Sequence, residues 1–271
     1  VSENALPSTT LYTESEYHTP AGDNRSVLGR LFPARLSFFL YLMRLVRRGG
    51  IQARRGVFTD QVFVDRSEDL VHYIEWCGGR VHVEGLQHVH ENPSPVVVTS
   101  NHMSLLETFM FPAMLLPTKP AVFIVKQALM KTPYMKSILA VRNAIAIGRQ
   151  NPREDLRTIM TEGVRYLKEG TSVCVFPQST RSTDFDASSF NTIGTKLAER
   201  SGTAVMPVAV KTDFLGCGRL VKDFGPVDPA KELHVCFGEP IPVTRANAKE
   251  AHAQTVDFIR SHLSAWGVPC K

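Results

Sequence analysis

From residue 80 onward the apolar positions follow two alternating rhythms. Short runs rich in Val, Ile and Phe at 81–83, 96–99, 122–125, 144–147, 172–176, 205–210 and 233–237 read as strands. Stretches with apolar residues at helical spacing cover 105–115, 134–141, 153–168, 193–201 and 246–266. This alternation predicts an α/β domain over 80–271, with a mixed, largely parallel central sheet covered by helices. Two further helical patterns precede it. One runs from Gln61 to Trp76, with Val62, Val64, Leu70, Tyr73 and Ile74 as its apolar positions, and stops at Gly78-Gly79. The other begins near Leu28 and includes Leu36 to Met43, an almost wholly apolar run bounded by Arg35 and Arg44. That run is far shorter than the roughly 18 residues needed to span a bilayer. Residues 1–27 lack periodicity and are expected to form a flexible N-terminal tail, with no apolar run behind a basic start to suggest a signal peptide.

Composition alters little of this, but charge alters it considerably. With 271 residues, 43% hydrophobic and 21% charged, the chain is neither disordered nor collagen-like nor a disulfide-stapled miniprotein. Its formal net charge is +5, yet Asn24 to Thr59 holds eight arginines (Arg25, Arg30, Arg35, Arg44, Arg47, Arg48, Arg54 and Arg55) and no lysine or carboxylate. That stretch carries +8 and leaves −3 to the remainder. Residues 28–79 are accordingly expected to be a two-helix membrane-associating segment, with Phe and Leu in the acyl boundary and arginines among anionic head groups. A core helix with a solvated basic end is an equal alternative for the first of the two. Five cysteines (Cys77, Cys174, Cys217, Cys236 and Cys270) without a C-x-x-C pair read as reduced thiols of a cytosol-facing protein. Nothing in the sequence sets an oligomeric state.

The candidate chemistry is concentrated in Pro95-Val-Val-Val-Thr-Ser-Asn-His-Met-Ser-Leu-Leu-Glu107. A buried strand there runs into a polar turn carrying Asn101, His102 and Ser104, and a helix follows. In open α/β sheets ligands bind at the carboxyl ends of strands. On a continuous helix His102 and Glu107 would stand roughly 140° apart. If His102 lies in the turn, its ring can fold back and donate Nδ1–H to Glu107, leaving Nε2 as a general base. A histidine beside a carboxylate is also a common structural pair. Downstream, Arg149 follows a short strand, and Arg181 follows another in a turn with Ser179, Thr180 and Ser182, where guanidinium forks and exposed N–H groups suit a phosphate. Lys126, at the end of a strand, and Lys196, in the turn after Gly194, are further candidates for the same anion.

Taken in order, these segments resemble the motifs of the glycerolipid acyltransferase family, which includes 1-acylglycerol-3-phosphate acyltransferase. His102-x4-Glu107 is similar to its His-x4-Asp motif, and Asn143-Ala-Ile-Ala-Ile-Gly-Arg149 to its second, which delivers an arginine to the substrate phosphate. Phe176-Pro-Gln-Ser-Thr-Arg-Ser182 is similar to the third, Phe-Pro-Glu-Gly-Thr-Arg-Ser, and Val205-Met-Pro-Val-Ala-Val210 to the fourth, a strand with a central proline, here Pro207. The resemblance runs from about Arg80 to Pro242. It departs at three positions: Glu107 for Asp, Gln178 for Glu and Ser179 for Gly. Losing a carboxylate at Gln178 lowers repulsion towards an anion, and the amide can both donate and accept.

The resemblance implies an O-acyltransferase that moves a fatty acyl chain from acyl-CoA or acyl carrier protein to a lysophospholipid hydroxyl, 1-acyl-sn-glycerol-3-phosphate above all. His102 and Glu107 are then the catalytic pair; Arg149, Arg181, Gln178, Ser179, Thr180, Lys126 and Lys196 hold substrate; Asn101, Ser104 and Pro207 support the site. No metal or cofactor beyond the thioester co-substrate is required. The implied setting is peripheral or monotopic, on anionic lipid at the cytoplasmic face of the cell membrane. The alternatives are an acyltransferase for another lyso-lipid, such as a lyso-aminolipid, and a non-catalytic lipid-binding relative. His88, His90 and Glu91 lack the spaced third ligand of a zinc site. No P-loop, G-x-G-x-x-G or G-x-S-x-G is present. A nucleic-acid face would leave the apolar run at 36–43 without a partner, so no nucleic acid is expected.

Overall fold

A computed structural model describes residues 12, 14–21, 34–178, 180–218 and 225–271. Arg25, Arg30 and Ser179 therefore lie outside the described residues, as does the expected start of the first helix at 28–33. In chain order the elements are β1 (Tyr17–His18), α1 (Ala34–Arg54), α2 (Asp60–Trp76), β2 (Val81–Glu84), the short α3 (Gln87–His90), β3 (Val96–Ser100), α4 (Leu106–Leu115), β4 (Ala121–Lys126), α5 (Pro133–Val141), β5 (Ile145–Ile147), α6 (Pro152–Lys168), β6 (Ser172–Val175), α7 (Ile193–Ser201), β7 (Ala204–Lys211), β8 (Leu233–Phe237), β9 (Ile241–Pro242) and α8 (Ala248–Ala265). Every strand and helix expected between 80 and 271 forms, with boundaries within two residues of the periodicity.

The strands make one mixed sheet in the order β1-β2-β8-β7-β3-β6-β4-β5, with β9 continuing along β7 beside β8. From β7 to β5 all pairings are parallel. Antiparallel pairs are confined to β7–β8, β7–β9 and β1–β2. Parallel strands covered on both faces are apolar on both, and β3 illustrates this: Val96 and Val98 face one core cluster and Val97 the opposite one. Pro207 sits inside β7, where a missing N–H is normally costly. Its carbonyl accepts from Gly238 N at 2.8 Å, between the β8 and β9 pairings. The absent donor therefore falls on the side where the neighbouring strand is already broken.

Two features differ from the reading by periodicity. Part of the stretch expected to be a flexible tail pairs as β1 on the edge of the sheet, with Tyr17 opposite Val83 and His18 opposite His82. Tyr17 Oη and Thr19 Oγ hold it there by donating to Glu75 Oε1 at 2.6 and 2.7 Å. The described helices of the stretch expected as a membrane-associating segment also pack onto the sheet. Phe38, Leu42 and Leu45 of α1 and Leu70 and Ile74 of α2 share a single apolar cluster with Val81, Val98 and Phe214. The first helix runs on through Gly49-Gly50, and the glycine at position 50 lets α5 cross it closely: a Cβ on Gly50 would lie 2.6 Å from Tyr134 Cβ. Arg54 closes this crossing by donating to Pro133 O at 2.8 Å and Ser137 Oγ at 3.2 Å.

Candidate active site

His102 leaves the carboxyl end of β3, in the middle of the sheet. Its ring does fold back over the start of α4, with Nδ1 2.8 Å from Glu107 Oε1. Glu107 is fully buried yet has no unmet acceptor capacity. Oε1 also accepts from Met103 N at 2.7 Å and Ser104 N at 3.0 Å, and Oε2 from Thr212 Oγ at 2.8 Å and Ser104 Oγ at 3.1 Å. Burial is the largest single influence on this carboxyl and raises its pKa. The hydrogen bond and charge of His102, main-chain N–H groups and Thr212 together outweigh it, so the pKa falls below the ordinary value.

Four contacts fix the turn in place. Asn101 pairs with β7 as a strand residue would, its Nδ2 donating to Val210 O and its Oδ1 accepting from Val210 N, both at 2.8 Å. Gln178 Oε1 accepts from His102 N at 2.7 Å, and Ser182 N donates to His102 O at 3.0 Å. The imidazole stacks on Phe176, with centroids 4.5 Å apart. The Phe176–Ser182 segment thus clamps the main chain of the histidine from outside. Gln178, expected as a substrate ligand, lines the same cavity as His102, is 5% exposed and has its carbonyl oxygen engaged in that clamp.

With Nδ1 committed to Glu107, Nε2 is the nitrogen left for chemistry. His102 lines a cavity of about 1510 Å³ whose wall also includes Lys126, Arg149, Thr180, Arg181 and Lys196. The structure thus brings both arginines and both lysines to one space with the histidine. Arg149 occupies the left-handed region at φ 59, which a non-glycine residue enters only when held. Asp155 holds it, accepting from Gly148 N at 2.9 Å and Arg149 N at 2.8 Å. Partial withdrawal from water lowers the proton affinity of the Arg149 guanidinium and the nearby charge of Arg181 lowers it further, while Asp155 raises it. Two guanidiniums close enough to repel, with Asp155 the sole carboxylate on the cavity wall among the described residues, make a site for an anion.

Much of the apolar wall comes from α1, α2 and α5, including Leu42, Leu45, Phe63, Met135, Ile138 and Leu139. Arg44, Arg47 and Arg48 line it too, so the basic helix is part of the pocket as well as of the surface. Gly194 allows α7 to start directly above the strand: a Cβ there would lie 2.4 Å from Thr99 Oγ. Pro207 takes no part in the wall and acts through β7, opposite Thr99. Sequence reasoning missed Thr212, Asp155 and Phe176. The Ser104-Leu-Leu-Glu107 capping box gave a local signal for the Ser104–Glu107 bonds. Thr212, 105 residues from Glu107, gave none. Among the described residues no group of three or more His, Cys, Asp or Glu could hold a metal ion.

A histidine–carboxylate pair at a strand end thus shares an apolar cavity with two arginines, an arrangement able to take up a proton beside a bound anion. Residues 80–211 match the model of the acyltransferase family. Over 133 residues it is 33% identical to a 1-acyl-sn-glycerol-3-phosphate acyltransferase of Pseudomonas aeruginosa, covering 49% of this chain and 50% of that protein. It is 28% identical over 142 residues to a chloroplastic 1-acyl-sn-glycerol-3-phosphate acyltransferase of Arabidopsis thaliana, covering 52% and 38%. The chain thus spans about half or less of the length of these relatives. Its fold is similar to that of the 1-acyl-sn-glycerophosphate acyltransferase PlsC of Thermotoga maritima, with a TM-score of 0.67 and 18% identity over 88% of this chain and 96% of that one.

Proposed function

We propose that this chain transfers a fatty acyl group from a thioester, on coenzyme A or acyl carrier protein, to the free hydroxyl of a lysophospholipid. The substrate named by its relatives, 1-acyl-sn-glycerol-3-phosphate, is the acceptor proposed, with phosphatidic acid as product. The observation that carries this reading is the pairing of His102 with a fully bonded Glu107 on the same cavity as Arg149 and Arg181. In the proposed reaction His102 Nε2 takes the acceptor's hydroxyl proton as the oxygen attacks the thioester carbonyl. The C–S bond then breaks, and the imidazolium returns the proton to the departing thiolate. Glu107 keeps the ring in the Nδ1–H tautomer and balances its transient charge. The arginines hold the acceptor's phosphate so that its hydroxyl meets the base in a defined position.

The same reading puts the chain on a membrane surface, at its cytoplasmic face, as a peripheral or monotopic protein. Among the described residues no helix is long and apolar enough to cross a bilayer. Leu36, Leu40 and Met43, spaced along one face of α1, are 58%, 59% and 60% exposed. Arg44 and Arg47 are exposed beside them, an arrangement suited to anionic lipid. The test is acyl transfer to lysophosphatidate in anionic liposomes, with wild type and His102→Ala. The expected result is phosphatidic acid from the wild type and at least a roughly hundredfold lower rate from the variant. Equal rates would remove His102 from the chemistry, and transfer only to lyso-lipids without a phosphomonoester would move the acceptor to another class.

A further inference from the structure

Where the family motif places Asp, this chain has Glu107, and the structure shows where the additional methylene leads. The carboxylate bridges two elements. Oε1 meets the His102 turn, and Oε2 meets both Ser104 of that turn and Thr212, the residue directly after β7. Thr212 is fully buried, and its Oγ lies 2.8 Å from Glu107 Oε2 and 2.9 Å from Ser104 Oγ. Its place relative to the turn is set two residues earlier, by the paired bonds between Asn101 and Val210. The other end of the span is equally constrained, because Leu106, Glu107, Met110 and Phe111 of α4 are all fully buried.

We propose that Thr212 is a positioning residue of the catalytic pair, and that it makes glutamate, rather than the family's aspartate, the residue this site requires. Shortening the side chain by Glu107→Asp would withdraw the carboxylate by about one C–C bond, ~1.5 Å. Contacts of 2.7 to 3.1 Å at both ends cannot all survive that withdrawal with α4 and β7 held. Either Thr212 or His102 loses its carboxylate partner. The Thr212 hydroxyl thus shares with Ser104 the anchoring of the oxygen that His102 does not use, and from the β7 side it helps keep the carboxylate turned to the imidazole. His102 is the one titratable side chain bonded to Glu107 among the described residues; the other partners are the hydroxyls of Ser104 and Thr212 and the N–H groups of Met103 and Ser104.

The test is a double-variant cycle with two readouts: the His102 imidazole titration followed by NMR, and the pH dependence of acyl transfer. Thr212→Val leaves the volume and removes the donor. A carboxylate with one donor fewer is more basic and holds the Nδ1 proton more tightly. The His102 midpoint should therefore rise by about half a pH unit, and kcat should fall about tenfold with the acid limb of its profile moved upward. Thr212→Ser, which keeps the hydroxyl, should restore both. In a Glu107→Asp background, Thr212→Val should change neither by more than about twofold, because the shorter side chain no longer reaches it. A merely structural role would scale the rate equally at every pH and leave the midpoint unmoved. The inference is overturned if Thr212→Val leaves the midpoint in place, if its effect is undiminished in the Glu107→Asp background, or if Glu107→Asp alone is as active as wild type. The rate arm rests on the acyl-transfer reading and the titration does not. A wild type inactive in acyl transfer would therefore sink that reading, while the NMR arm still decides the role of Thr212.

Discussion

The chain has histidines at strands in two places, and only one of them is arranged as a base. At the end of β3, His102 has a buried carboxylate on Nδ1, an aromatic ring beneath it and a cavity in front. Towards the sheet edge His18, His82 and His234 stand in register on β1, β2 and β8. There His18 Nδ1 lies 2.9 Å from His82 Nδ1, His82 stacks on His234 at 4.9 Å, and His234 stacks on Trp266 at 5.0 Å. Their shared carboxylate, Glu232, is half-exposed and no nearer than 3.5 Å to either His82 or His234. Burial lowers the pKa of His82, and lowers that of His234 to about 4 with help from His82 and Lys211 against Glu232 and Asp213. The comparison teaches that the imidazole itself does not make a site. What sets His102 apart is a carboxylate that is dry, fully bonded and committed to one ring nitrogen, which leaves the other nitrogen uncommitted to it.

The sharpest way to break this comparison is to remove each histidine in turn. His102→Ala should cost at least about a hundredfold in acyl transfer, whereas His82→Ala should leave the rate within about twofold and show only in thermal stability. Comparable losses of rate from both would mean that the edge row belongs to the chemistry. A smaller effect is expected from the arginines, which divide in the same way. Arg149→Ala should raise KM for lysophosphatidate about tenfold without changing KM for the acyl donor. Arg54→Ala, which loosens α1 from α5, should leave both constants unchanged and lower Tm. The smallest effect concerns pH. With its pKa at about 4 instead of the ordinary 6.5, His234 binds a proton more readily in the unfolded chain. Its contribution to stability is present above 6.5 and lost as pH falls towards 4. The Glu107 carboxylate, depressed from its ordinary 4.5, keeps its contribution above that pH and loses it as pH falls further. His234→Phe, which keeps the stacking, should therefore flatten Tm between pH 6.5 and 4, and an unchanged slope would show that the row does not titrate with folding.

What could be read from the sequence, and what could not, divides by distance along the chain. Strands and helices from Val81 to Ala265 followed from apolar spacing, since each buries a face whose period is local. The His102–Glu107 contact also lay within reach, being a turn and one helical step. β1 was missed because Tyr17–His18 is too short to show a period and is held by Glu75, far along the chain. The function of Gly49-Gly50 was invisible for the same reason: a helix break and a helix crossing look alike until α5 arrives. At Gln178 the sequence showed a missing carboxylate but not that its oxygen binds the His102 amide.

The sequence alone determined the α/β class, the order of the main strands and helices from Val81 to Ala265, and the basic character of the first helix. These depend on composition and on spacing within one element. Only the tertiary structure decided that Arg149 and Arg181 share a cavity with His102, that α1 forms part of its wall, and that Thr212 completes the bonding of Glu107. Each of those facts joins residues from separate elements. Their separation is set by how strands pair and helices pack, and no local pattern encodes it.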